Sequence, residues 1–365
     1  MHKKSIDYPI LILTIMLVLF GIVMVFSASF YYAEQNFNDQ YFFFKKQIIG
    51  AVAGAACMVF MMFFNYKHLA KFRYILLIVA IALLGLVLIP GVGVTLNGSS
   101  RWIPLPGFQL QPVEVVKFAV IIFMAANITG KKDSMKKFKY GVLPYLLILG
   151  IICGLLLLQP NFSAVIAIGL LVFILMFIGG ARLLHLGILG GGAAVGLYLL
   201  LFTQQYRANR IEAFINPWVD PAGKGYQLIQ SLYSLGAGGL FGMGFGNSRQ
   251  KFLFLPYGES DFIFSIITEE LGYIGAIALL TVFALLIWRG IRVAIRSKDM
   301  FGSILAAGIV SIIAIQVLMN VAVVTGTIPP TGVSLPFISH GSSSLVIFMA
   351  SIGVLLNISK QCDTA

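Results

Sequence analysis

The chain has 365 residues, of which 59% are hydrophobic and only 10% charged, with a formal net charge of +12. Apolar runs of that density have no place on a water-soluble surface and define a polytopic helical membrane protein. The positive charge does not point to nucleic acid, because the basic residues sit at the ends of apolar runs, where anionic headgroups account for them, and no basic module stands apart.

Ten predicted spans follow in order: 8–28, 47–64, 74–94, 112–129, 141–158, 162–180, 183–203, 262–288, 302–325 and 342–358. The fold class is therefore all-α, a single membrane domain over 1–365 with a large loop, 204–261, between the seventh and eighth spans. The first run follows Lys3 and Lys4 and ends in Ser27-Ala28-Ser29, as a secretory signal would. Its length and the nine spans after it make it a retained helix. Placing the N-terminus in the cytoplasm leaves 16 Lys and Arg on inner segments and 8 on outer ones, so both termini are expected inside and loop 204–261 outside. Cys57 and Cys153 lie within spans and Cys362 in the tail, spaced neither for a metal nor for an extracellular disulfide.

Loop 93–111 contains Arg101-Trp102, which suits an interfacial anchor and a phosphate fork equally well. Pro112 is placed to start a helix, with Glu114 in its first turn and Lys117 three residues on, so the two share a face and should pair. The pair either locks the helix or lines a polar cavity.

The large loop passes through Tyr226-Gln227 into an amphipathic stretch, Leu228 to Leu235, expected to lie along the membrane surface. Six glycines then fall between 236 and 246. With no strand before them they do not form a nucleotide loop, and close backbone packing is the reading they support. Asn247, Ser248, Arg249, Gln250 and Lys251 follow, and ten residues later comes Asp261, just ahead of Phe262-Ile263-Phe264. Such an aspartate serves as a helix cap, a catalytic carboxylate, or both. Glu269 and Glu270 fall within the next span and should line a cavity or serve structure. In the last outer loop, 326–344, four Pro and Gly residues between 326 and 332 break any helix and predict a re-entrant or tightly folded segment, and His340 is expected to be a hydrogen-bonding structural residue.

Taken together these segments resemble the SEDS family (shape, elongation, division and sporulation). The resemblance rests on Ser27-Ala28-Ser29, Arg101-Trp102, Pro112-x-Glu114-x-x-Lys117, Asn216-Pro217-Trp218 and Gly225-Tyr226-Gln227. It continues through Gly239-x-x-Gly242-x-Gly244-x-Gly246-Asn247-Ser248, Leu255-Pro256, Asp261-Phe262, Glu269-Glu270-Leu271-Gly272, Pro329-x-Thr331-Gly332 and Leu335-Pro336-Phe337. The wording around Asn247-Ser248 and Asp261 is nearer to the FtsW and SpoVE members than to RodA. Asn161 and His340-Gly341-Ser342 depart from the family pattern.

The resemblance implies a peptidoglycan glycosyltransferase of the bacterial cytoplasmic membrane that polymerises lipid II on the outer face, paired with a class B penicillin-binding protein. Asp261 would be the catalytic base for an inverting transfer, with Glu114 and Lys117 in the supporting cavity. Arg101, Tyr226, Gln227, Ser248, Arg249 and Lys251 would contact substrate. A divalent cation, Mg or Mn, is a candidate cofactor, with no metal ligands assigned. A lipid II flippase and a noncatalytic scaffold for a transpeptidase are the alternatives. The first would depend on Glu114, Lys117, Glu269 and Glu270 more than on Asp261, and the second on none of them.

Overall fold

The computed structural model describes residues 6–96, 99–105, 108–131, 134–201 and 205–362. Helix α1 (Tyr8–Phe37) starts at Asp7, whose carboxylate accepts from the Ile10 amide at 3.2 Å, and ends at Asn38 in the left-handed region. Its 30 residues extend about 45 Å, longer than the ~30 Å hydrocarbon core, so it overruns the predicted span 8–28. Next come α2 (Phe42–Phe63), the short α3 (Lys67–Lys71) and α4 (Arg73–Val87). Strands β1 (Val94–Leu96), β2 (Ser99–Leu105) and β3 (Phe108–Leu110) then form an antiparallel sheet in the order β1-β2-β3, with Trp102 opposite Val94 and Ile103 opposite Leu110. The all-helical expectation lacked this sheet. The Asn97-Gly98 dipeptide is a strong hairpin signal in the sequence.

The chain continues with α5 (Pro112–Gly130), α6 (Leu143–Leu158) entered through a wide turn at 138–142, α7 (Phe162–Ile178), α8 (Leu183–Leu201), α9 (Gln205–Ile215) and α10 (Tyr226–Gly238). The last helices are α11 (Ile263–Arg296), α12 (Met300–Val324) and α13 (Ser342–Ser359). Among the described residues seven helical segments are long and apolar enough to cross a membrane, and three shorter apolar helices fall in α4, α7 and α8, at the remaining predicted spans. Helices α5, α12 and α13 are enclosed along most of their length, whereas α2, α6 and α11 turn much of theirs outward. Close packing of α13 on α2 depends on Gly353: a methyl there would stand 2.3 Å from the Met58 carbonyl oxygen.

The amphipathic stretch 228–235 does not lie on the surface. Helix α10 instead runs parallel to the first half of α11 and in contact with it. Ser231 Oγ lies 2.8 Å from Ser265 Oγ and donates to the Val324 carbonyl, and Ser234 Oγ donates to the Ser265 carbonyl at 3.0 Å. Gly238 is pressed onto the Thr268 carbonyl. An apolar stripe broken by Ser231 and Ser234 looks like a membrane-surface helix, yet here the serines satisfy a buried helix contact.

At the base of this re-entrant hairpin α11 breaks at Gly272, with φ +70° and ψ −176° inside an otherwise helical run. The break frees backbone groups that lipid cannot satisfy, and segment 239–244 satisfies them. Met243 and Gly244 amides donate to the Glu269 and Glu270 carbonyls at 2.9 and 3.1 Å, and Tyr273 and Ile274 amides donate back to Gly239 and Leu240. A side chain at Gly272 would need the left-handed region and would also strike the Gly242 nitrogen and the Leu240 oxygen at 2.4 Å.

Candidate active site

Asp261 sits at the end of the hairpin's return strand, in a turn that other elements hold at nearly every residue. The Tyr257 carbonyl accepts from the Ser260 and Phe262 amides, and the His340 amide donates to the Glu259 carbonyl at 2.9 Å. Ser339 Oγ donates to the Ser260 carbonyl at 2.6 Å, and Asn320 Nδ2 donates to both the Asp261 and the Val333 carbonyls, at 2.8 and 2.7 Å. Segment 335–339 is buried, whereas the Pro- and Gly-rich stretch 326–332 before it is non-helical and only partly buried. The capping residue of α11 is Phe262, with no side-chain cap hydrogen bond, so Asp261 is not spent as a helix cap.

Three other segments approach this half-buried carboxylate. Gly332 lies against it, such that a methyl there would be 3.0 Å from Oδ2. Arg101 on β2 donates to the Pro160 and Gln159 carbonyls in the α6–α7 turn, and Arg210 on α9 donates to the Pro330 carbonyl at 3.2 Å. Both guanidinium groups act electrostatically on Asp261. Sequence reasoning passed over Arg210. Its only signal there was a basic residue in a helical stretch at the start of the large loop.

Burial pushes the Asp261 carboxyl up to about 6, against the opposing pull of Arg101 and then Arg210. Glu259 is pushed up to about 7, first by burial and then by the charge of Asp261, while its own backbone N–H works the other way. A base that titrates just below neutrality is suited to taking a proton from a hydroxyl and losing it again. His340 is driven down to about 4 by burial and by Lys46, so its imidazole is neutral at neutral pH, packed edge-on to Phe43 at 4.9 Å. Its Nδ1 is buried without a hydrogen-bond partner among the described residues, so the imidazole serves packing, and only the main-chain amide makes the hydrogen bond that was expected of the side chain.

The other residues singled out from sequence divide into two groups. Glu114 and Lys117 pair at 2.6 Å, both buried, in the first turns of α5. The Lys117 ammonium lies 5.9 Å from the Phe348 ring, which itself packs on Phe337, so the pair sits beneath the folded loop that carries Gly332. Ser248, Arg249 and Lys251 belong to a different cluster. Ser248 Oγ and the Arg249 amide donate to Glu269 at 2.6 and 2.9 Å, joined by Ser234 Oγ at 3.0 Å. Lys251 Nζ pairs with Glu270 at 2.8 Å with neither side chain exposed, and Ser27 Oγ donates to the same carboxylate at 2.7 Å. These bonds fasten the return strand to α1 and α11. Tyr226 and Gln227 open α10, half-buried.

The Glu114–Lys117 pair yields a direct expectation. Glu114→Gln keeps the shape and drops the charge, leaving a buried ammonium without its counter-charge at a cost of about 3–5 kcal/mol. Accumulation in membranes and thermal unfolding in detergent should both report it, and exchanging the two residues should recover part of the loss. Wild-type stability in Glu114→Gln would show that the pair contributes nothing.

The fold defines a polytopic membrane protein in which a loop-borne carboxylate, Asp261, lies within the electrostatic reach of two arginines from distant elements. The chain belongs to the FtsW/RodA/SpoVE family of cell cycle proteins, which it matches over residues 8–364. It is 44% identical over 362 residues to the stage V sporulation protein E of Bacillus subtilis (strain 168), covering 98% of each. It is also 44% identical over 361 residues to a probable peptidoglycan glycosyltransferase FtsW of Trichlorobacter lovleyi, covering 98% of this chain and 94% of that one. Among solved structures, a chain of a peptidoglycan synthase complex that coordinates polymerization and crosslinking superposes with a TM-score of 0.79 at 27% identity, covering 97% of this chain and 98% of that one.

Proposed function

We propose that this chain is a peptidoglycan glycosyltransferase that polymerises lipid II, with Asp261 as general base. The observation that carries the reading is the geometry of Asp261: a carboxylate released from capping, held by its backbone, raised to about 6 and faced by two guanidinium groups. Polymerisation joins the C4 hydroxyl of one lipid-linked disaccharide to the anomeric carbon of another. The hydroxyl proton passes to Asp261, and the bond to the diphosphate breaks with its electron pair leaving on oxygen. A diphosphate leaves without protonation, so one carboxylate suffices where glycoside hydrolysis uses two. Arg101 would stabilise the charge that develops on the leaving group.

Among the described residues no three His, Cys, Asp or Glu side chains converge as a metal-ligand set. A divalent cation would accordingly enter on the diphosphate oxygens of the substrate, where it would neutralise charge. The buried charges that a transport path would use are committed to internal partners, Glu114 to Lys117 and Glu270 to Lys251, which favours polymerisation over flipping. The division of basic residues supports cytoplasmic termini with Asp261 on the outer side.

A class B penicillin-binding protein is the proposed partner. An apolar groove between α11 and α12, closed at one end by Ile178, is where a membrane helix of that partner would dock. Its α12 wall carries Ser303, Ala307 and Ser311 at four-residue spacing, a small-residue pattern that lets helices approach closely in lipid.

The test is polymerisation of purified lipid II in proteoliposomes, with and without the partner. Orientation is read from an impermeant thiol reagent on a single cysteine at Lys224 or Lys136, in a background lacking Cys57, Cys153 and Cys362. Glycan strands should form where Lys224→Cys faces the lipid II supply. Lipid II translocation without any strand formation, in the presence of the partner, would replace the polymerase reading with the flippase.

A further inference from the structure

Arg210 is exposed on α9, a helix outside the enclosed part of the bundle, yet it is tied to the loop that lies against Asp261. Its Nη1 donates to the Pro330 carbonyl at 3.2 Å. Two residues further along that loop, Gly332 lies against the Asp261 carboxylate, and Asn320 ties Val333 and Asp261 together through their carbonyls. Arg210 thus reaches Asp261 across the 330–333 loop. Arg101 reaches it from β2 across the 159–160 turn. Each arginine is oriented by a proline carbonyl, each acts on the same carboxylate, and they come from elements about a hundred residues apart in sequence. Lys224, further along this outer segment, is instead paired with Glu212 at 2.9 Å, and its main-chain amide donates to Asp220.

Resting on the polymerase reading, we propose that Arg210 binds the diphosphate of the glycosyl donor, forming with Arg101 a two-sided cationic clamp beside Asp261. A planar guanidinium matches two phosphate oxygens at once, which a lysine ammonium does not. As the anomeric carbon–oxygen bond breaks, the diphosphate gains one negative charge, and a clamp on both sides holds that charge while Asp261 holds the hydroxyl proton. Bound diphosphate would screen Asp261 from both cations, so the base becomes stronger when the donor is in place.

The experiment uses the chain with its partner in proteoliposomes, with lipid II as substrate and inorganic pyrophosphate as competing ligand. Arg210→Ala should lower kcat/KM and weaken pyrophosphate inhibition, each by about 10- to 100-fold, the range for one charge-assisted hydrogen bond. It should also move the acid limb of the pH–rate profile to higher pH, because Arg210 holds the Asp261 carboxyl down and its removal lets that carboxyl rise. Arg210→Lys should restore the acid limb while recovering only part of the pyrophosphate inhibition. Lys224→Ala is the control and should match wild type. Reduced activity in Arg210→Ala with unchanged inhibition and an unchanged acid limb would overturn the clamp and leave Arg210 a structural residue. Absence of pyrophosphate inhibition in the active wild type would overturn it likewise. A wild type that makes no strands defeats the polymerase reading instead.

Discussion

Asp261→Asn is expected to abolish strand formation, lowering it by roughly two orders of magnitude or more, the usual contribution of a general base. The amide cannot accept the hydroxyl proton at neutral pH, while the bonds that hold the residue in place are made by its main-chain carbonyl and its neighbours and survive the change. Protein level, membrane insertion and partner binding should therefore remain near wild type. A capping role would predict a harmless Asn, since Asn and Asp cap helices about equally well. In the wild type the rate should fall as pH drops through about 6, because protonation of this raised carboxyl removes the base. An ordinary aspartate would hold its activity down to about pH 4. Glu259 interacts with Asp261, so the limb belongs to the pair. Strand formation by Asp261→Asn at a normal rate would remove Asp261 from the mechanism.

Lys251→Met is the second large effect, and it acts on folding. It strips the ammonium from a fully buried pair and leaves Glu270 with Ser27 alone, at a cost of about 3–5 kcal/mol. The segment that carries Asp261 loses its ties to Ser27 and Glu270 and, of its side-chain bonds to α1 and α11, keeps only those to Glu269, so the variant should accumulate poorly and unfold early in detergent. Adding Glu270→Gln removes the stranded charge, and the double variant should regain much of the loss. Normal accumulation of Lys251→Met, or a double variant worse than the single, would show that the pair does not hold the hairpin. This gives a structural role to a residue that the reaction chemistry expected of the family had placed among the substrate contacts. Lys251 lies ten residues from Asp261 in sequence, but its charge is consumed inside the protein.

The small sheet shows what a span-based reading overlooks. Loop 93–111 falls between two apolar runs and was treated as connection, although Asn97-Gly98 marks a hairpin. It is β2 in that sheet that presents Arg101 to the α6–α7 turn. Helix α10 was misplaced for a related reason. Its periodicity reports one face that avoids water, and periodicity does not distinguish a lipid surface from the side of another helix.

From the sequence alone came the ten apolar runs, the pairing of Glu114 with Lys117 and the helix-breaking stretch 326–332. All of these depend on local properties: apolar length against bilayer thickness, i to i+3 spacing, and the backbone limits of Pro and Gly. The tertiary structure alone decided that α10 descends beside α11, that Gly272 breaks that helix to admit the hairpin, that Glu269 and Glu270 anchor the return strand, and that Arg210 joins Arg101 at Asp261. These are long-range pairings of polar groups within lipid. Every buried charge or freed backbone group there must find a partner, and which partner it finds depends on how distant helices pack rather than on any neighbouring residue.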